Sequence, residues 1–292
     1  MSADTLLLVV KLALLGGIVL TVAAVGLGAT MNDATSLFRE PGLLIRSVLS
    51  MSVLAPIVAC VMARAFDLHP AVRIALVALA VSPVPPFLPK KEVTAGGEAS
   101  YVIGLLTATA LFSIVLVPVT LVGLARVFDV PLEISITRVA SAVTMTVLGP
   151  LLVGIGIHAL APNVAPRVAR PVGLVAAILL VLGLVAILVK IGPDLWALVG
   201  NGTLVAMAAF SIIGVIIGHA LGGPVLGNRA ALGLSTATRH PGVALAIATA
   251  NFPDQTLALP AILLFAIVGA VVSVPYVKWM KSRTSPTQRG LR

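Results

Sequence analysis

The sequence predicts an all-α polytopic membrane protein with about nine transmembrane helices, and three observations carry that expectation. The chain is 59% hydrophobic and only 10% charged over 292 residues, with a mean hydropathy of +1.15, far from the averages of soluble domains. Apolar runs of about 20 residues, the length that crosses a bilayer core of about 30 Å, follow one another almost end to end. Two of those runs are interrupted by prolines and charges, at Ser82-Pro-Val-Pro-Pro-Phe-Leu-Pro-Lys-Lys-Glu-Val-Thr-Ala-Gly-Gly-Glu98 and at Ser235-Thr-Ala-Thr-Arg-His-Pro-Gly242. Unwound backbone and ionisable groups are costly at membrane depth unless they line a protected cavity, so paired breaks mark a transporter's binding site.

In chain order the spans fall near 5–29, 42–66, 70–109 (broken), 110–128, 135–160, 171–191, 199–222, 228–252 (broken) and 256–280. Together they make a single membrane domain covering 1–292. The first span contains Lys11 and has no basic leader, so it is read as a retained helix rather than a cleaved signal. Asn32 to Glu40 mixes apolar and charged residues as a short interfacial helix would, with Ala161 to Arg170 as its counterpart in the second half; an ordinary polar loop fits each equally well. In the third span Pro83, Pro85, Pro86 and Pro89 remove backbone donors and Gly96-Gly97 loosens the chain before Glu98; Pro241-Gly242 does the same in the eighth.

Orientation follows from Lys and Arg in the short loops. One side collects Arg39, Arg46, Arg167, Arg170, Arg229 and the tail residues Lys278, Lys281, Arg283, Arg289 and Arg292; the other collects Arg64, Arg73, Arg126, Arg138 and Lys190. The excess places the C-terminus, with its basic tail 281–292, in the cytoplasm. The formal charge of +9 is concentrated in that tail, where it faces anionic lipid, and without a basic stripe and interleaved aromatics it does not point to nucleic acid. A single cysteine, Cys60, leaves no intrachain disulfide or cysteine-based metal site. The sequence lacks His-Glu-x-x-His, Gly-x-Ser-x-Gly and Walker A patterns, so no enzyme, cofactor or metal site is expected.

What remains are the breaks. A helix resuming at Gly96-Gly-Glu-Ala-Ser-Tyr-Val102 has free N-terminal amides, as does one resuming near Gly242 to Ala244. Half-helix N-termini attract anions and the preceding C-terminal carbonyls attract cations. The candidate binding residues are Glu98, Ser100, Tyr101, Ser235, Thr238, Arg239, His240 and Gly242. Ser82, Thr94, Ser113 and Thr236 could add hydroxyls, although helical Ser and Thr commonly bond their own preceding carbonyls. Lys90 and Lys91 read as snorkelling side chains.

The segments Ser82-Pro…Gly96-Gly-Glu-Ala-Ser-Tyr-Val102 and Thr238-Arg-His-Pro-Gly-Val-Ala-Leu-Ala246 resemble the two crossing discontinuous helices of the bile acid:sodium symporter family. There the breaks read Pro-Gly-Gly-Thr-Ala-Ser-Asn-Val and Glu-Val-Gly-Met-Gln-Asn-Ser-Gly-Leu-Ala. Gly28 to Met31 and Ser50 to Pro56 resemble the end of that family's second helix and part of its third. The resemblance implies a panel and a core domain, inverted repeats and alternating-access transport of a small organic anion, here in a bacterial-type inner membrane. It also implies two sodium ions on oxygen side chains, yet Tyr101 stands where the family has Asn, Ser235 where it has Glu, Arg239 where it has Gln, and Met51 where its third helix has Gln. Neither Met nor Arg offers sodium a side-chain oxygen, so the expectation is that Arg239 replaces a cation, neutralising carbonyl dipoles or pairing with Glu98, with His240 or Glu98 as a proton-coupling group. Two other readings stand beside it: an arsenite-permease or auxin-carrier relative, and a membrane sensor that binds ligand without moving it.

Overall fold

The computed structural model describes residues 3–130, 132 and 135–284. Among them every regular element is helical, and seven helices are long and apolar enough to cross a membrane. The tail residues Arg289 and Arg292 lie outside the described residues.

Helix α1 (Ala3–Leu27) is followed by α2 (Met31–Thr35), which begins on a capping box between Thr30 and Asp33, and a 3-10 turn (Ser36–Arg39). These two short elements are the interfacial piece expected between the first two spans. The second span, Pro41–Ala65, is α3 (Pro41–Val48), a π-helical turn (Leu49–Leu54) and α4 (Ala55–Ala65). Helix α5 (Pro70–Val81) starts on Pro70, with His69 Nδ1 accepting from the Ala71 amide at 3.2 Å. It ends at Ser82, held in the extended region (φ −77°, ψ 152°) because Pro83 follows.

The chain then turns through 83–88 into α6 (Pro89–Thr94), turns again at 95–98, and enters α7 (Ala99–Phe128), one unbroken helix that carries Pro118 and closes on Asp129 in the left-handed region. This corrects the expected partition. The third crossing is 70–94 rather than 70–109, the fourth begins at Ala99 rather than near 110, and Gly96-Gly97 is the turn between crossings. Gly96, at φ +92°, lies so close to Thr284 at the other end of the chain that a Cβ would overlap that side chain. It therefore sits at a membrane face, and the prolines rather than the glycines make the mid-membrane break.

The next span, Ile136–Leu160, is α8 (Ile136–Val143), a second π-helical turn (Thr144–Leu148) and α9 (Gly149–Leu160). Helix α10 (Ala165–Ala197) follows and takes in Arg167 and Arg170, so the interfacial helix expected there is replaced by the first turns of a long span. Then come α11 (Thr203–Leu221), the half-helices α12 (Leu226–Ala237) and α13 (Pro241–Asn251), and α14 (Ala258–Thr284). Counting each interrupted pair as one crossing gives nine passes among the described residues.

Packing divides the bundle. Helix α1 lies along α10 and α9, and the two chains touch backbone to backbone: a Cβ on Gly154 would come 2.5 Å from the Ala23 carbonyl oxygen. The remaining spans share the main apolar core, which runs from Leu37 to Met280. The core spans recur in the same order in each half: 41–65, α5/α6 and α7, then α11, α12/α13 and α14. Five crossings separate corresponding members, so the two sets run in opposite directions, as inverted repeats do.

Candidate functional site

The two breaks meet. The His240 amide donates to the Pro83 carbonyl at 2.9 Å, joining the end of the second break to the start of the first. Beside it the guanidinium of Arg239, only 3% exposed, donates from Nη1 to the Ser82 carbonyl at 3.2 Å and from Nη2 to the Met51 carbonyl at 2.9 Å. Both acceptors are free for a local reason. Ser82 caps the C-terminus of α5, where the last carbonyls of a helix have no intrahelical partner. Met51 lies in the π turn, where the Ala55 amide reaches back five residues to Ser50. In that register the partner for Met51 would be residue 56, which is proline and has no amide hydrogen.

A guanidinium thus holds the two carbonyls on which a bound cation would otherwise draw. The donor set does not fit sodium at this point: both carbonyls are occupied, Met51 offers no side-chain oxygen, and the neighbouring charge is already positive. A cavity of about 20 Å³ on the α7 side of the crossing has hydroxyl-bearing walls (Ser82, Thr109, Ser113, Thr120), but Arg239 lines it too.

Arg239 forms no ion pair with Glu98. Glu98 is exposed at the N-cap of α7, by the turn that packs against Gly227 at the start of α12, a full half-helix from the crossing. The sequence expectation of that pair is therefore corrected, and the reason is the register: the mid-membrane break is at Ser82-Pro83. Ser100 and Tyr101 share this displacement. The Ser100 carbonyl accepts from Ser36 Oγ at 2.9 Å, and the buried Tyr101 hydroxyl pairs with Ser47 Oγ at 2.9 Å, tying α7 to the segment before the second span.

The second-break residues do gather at the crossing. His240 accepts through Nδ1 from the Gly242 and Val243 amides (3.2 and 3.4 Å), and its carbonyl takes the Ala244 amide. The amides expected to be free around Gly242 are therefore already capped. The acceptor role of Nδ1 leaves the ring proton on Nε2, and that atom is buried without a partner, as is Arg239 Nε. Thr238 and Arg239 line a second cavity, about 70 Å³, walled by Phe87, Leu88, Lys91, Phe265 and Gly269. Two cationic side chains and no carboxylate border it.

Ser235 leads to a residue that the sequence reading passed over. Its Oγ donates to Glu92 Oε1, a short hydrogen bond from α12 to α6, and Glu92 is 1% exposed. One residue on, Thr236 Oγ1 pairs with Ser50 Oγ at 2.7 Å, joining α12 to the π turn. Lys91, read as snorkelling, instead donates to Ser273 Oγ of α14. Ser82, Thr94 and Ser113 bond carbonyls of their own helices, the local alternative weighed from sequence. Cys60 lies nine residues beyond Met51 on the second span, about 13 Å along the axis.

Compared with known proteins, residues 15–196 match the model of the sodium bile acid symporter family. The matched region holds the first break and ends before the second. No curated protein matches the chain.

Proposed function

The chain belongs to the sodium bile acid symporter family, whose members are transporters and not enzymes, and from that premise we propose that it is a secondary transporter of a small organic anion in which Arg239 has taken the place of a coupling sodium ion. The observation that carries this is the pair of hydrogen bonds from the Arg239 guanidinium to the carbonyls of Ser82 and Met51, one on each of two spans packed at the crossing. A cation fixed by a covalent stem neutralises the same carbonyl dipoles that a diffusible ion would, but does not leave with the substrate. Coupling to the sodium gradient is thereby lost, while the crossing keeps its charge balance.

The anion is supported by the 70 Å³ cavity that Arg239 and Lys91 both border. Its other walls, Phe87, Leu88 and Phe265, are apolar. Such a site suits a carboxylate or sulfonate carrying an apolar body. Movement between the group formed by α1, α9 and α10 and the rest of the bundle provides alternating access. The inner membrane of a bacterium, with the C-terminus in the cytoplasm, fits the compact chain and the asymmetry of its loop charges.

The test is uptake into proteoliposomes holding the purified full chain, with radiolabelled taurocholate, benzoate and an alkyl sulfonate as probes. At least one should accumulate in trans-loaded vesicles, and replacing sodium by choline should change its rate by less than about twofold. Strong stimulation by sodium removes the substitution of Arg239 for the ion; binding of a probe without flux identifies a sensor instead.

A further inference from the structure

Glu92 is the one buried carboxyl group among the described residues. It lies on the inward face of α6 with Leu88 and Ala95, while Lys90, Val93 and Thr94 of the same short helix face out. Its sole side-chain hydrogen bond there is the one from Ser235 across the seam between α6 and α12.

The charged and titratable groups on every element packed around Glu92 are engaged elsewhere or lie outside. On α6 itself, the Lys91 ammonium donates to Ser273 Oγ. On α7, the Tyr101 hydroxyl is tied to Ser47. On α12, Arg229 donates from Nε to the Gly223 carbonyl, and Asn228 is buried with its Oδ1 unpartnered. Past the end of α12, Arg239 donates to its two carbonyls. On α14, Lys278, Lys281 and Arg283 are exposed. No guanidinium or ammonium therefore forms an ion pair with Glu92. An ionised carboxylate buried in this way, with a single hydroxyl for company, is far more costly than a neutral one.

The seam that covers Glu92 can close tightly and is able to open. At the membrane-face end of α12, Gly227 meets the backbone of Gly96 and Glu98, so close that a Cβ would come 2.8 Å from the Gly96 oxygen. Both α6 and α12 are half-helices whose inner ends are joined to the crossing. Separation at the Gly227 end admits water to Glu92 without unfolding either helix.

We propose that Glu92 is a proton-exchange site that couples movement of the organic anion to movement of a proton, an inference that rests on the transport reading above. The carboxylate takes up a proton when the α6–α12 seam is open to water and holds it while the seam is closed. It returns the proton when the site opens on the other side, so that one proton accompanies the anion and offsets its charge. With Arg239 fixed at the crossing, Glu92 supplies the exchangeable cation that the site otherwise lacks.

Two measurements on the full-length protein test this. The first is infrared difference spectroscopy between acidic and alkaline buffer, which reads the C=O stretch of a protonated carboxyl and needs no substrate. Wild type should show a band lost on alkalinisation and absent from Glu92→Gln, and Ser235→Ala, which leaves the carboxyl in place, should shift the pH at which it disappears. The second is uptake of the three probes with and without an inward proton gradient: the stimulation ratio should be about tenfold in wild type and fall to about one in Glu92→Gln. A wild type that transports but has no such band, or a Glu92→Gln variant that responds to the gradient as wild type does, overturns the coupling role alone. A wild type that titrates at Glu92 but moves none of the probes overturns the transport reading, and the coupling with it.

Discussion

Replacing Arg239 by methionine keeps most of the side chain's length and removes its charge and donors. The Ser82 and Met51 carbonyls then lose their partners at 3.2 and 2.9 Å, and charge-assisted bonds of this kind contribute about 1.5–3 kcal/mol each. Against that loss of about 3–6 kcal/mol, the variant no longer places an arginine in the membrane interior, which recovers about 2.5–3.5 kcal/mol on insertion scales. The two effects nearly cancel, leaving a net destabilisation of about 0–3 kcal/mol, so the variant should remain folded. Transport should not survive so well, because both carbonyl dipoles at the crossing are left uncompensated. The expected result is an Arg239→Met protein that elutes as a monodisperse species with a modestly lower midpoint in a heat-and-elute assay, yet takes up probe at least about tenfold more slowly. Arg239→Lys, which keeps the charge but not the fork that spans two acceptors, should fall between. A folded Arg239→Met protein transporting within about twofold of wild type would refute the role assigned to the guanidinium.

Other consequences are as direct. The double variant Met51→Gln/Arg239→Gln returns side-chain oxygens to the two altered positions, and its uptake should gain a sodium dependence, seen by exchanging sodium for choline, that wild type lacks. In a Cys60→Ser background, Glu98→Cys should react with an impermeant maleimide from the same side as Thr284→Cys and Asp129→Cys from the opposite side; protection of Glu98→Cys would return that residue to the crossing. Gly218→Leu should yield little folded protein by size exclusion, because even a Cβ there would lie 2.3 Å from the Leu232 carbonyl oxygen, and overpacking of this kind costs about 1–3 kcal/mol or more.

Much of this was legible in the sequence, and the exceptions have physical causes. Pro83 and Pro241 announce the breaks because they remove backbone donors whatever surrounds them. Arg239 stood out because an arginine amid apolar residues is rare at that depth. Which of two interruptions in the first half reaches the membrane centre was not legible: Pro83–Pro89 and Gly96-Gly97 both loosen a chain, and only the contact of Gly96 with Thr284, remote in sequence, decides between them. Glu98 was selected and Glu92 missed for the same reason. Lys90-Lys91-Glu92 reads as solvated loop until it is placed on a helix, where Leu88, Glu92 and Ala95 share one face, a spacing of four and three that was present in the sequence. The free carbonyl of Met51 depends on a π turn, for which the sequence carries only the weak hint of Pro56.

That turn also bears on how the chain tolerates change in length. A π turn is what one added residue leaves behind in an α-helix, so the second span is an ordinary helix carrying a single surplus position between Leu49 and Leu54. Deleting one residue there would restore regular winding and swing everything before it by about 100° relative to α4. Ser47 would turn away from Tyr101 and the segment 41–48 from α7, although every side chain beyond the deletion kept its identity. The span from Ile136 to Leu160 carries its own surplus position, again just ahead of a proline, Pro150. Loop lengths in this chain are therefore free to drift, whereas the residue count inside these two spans is not.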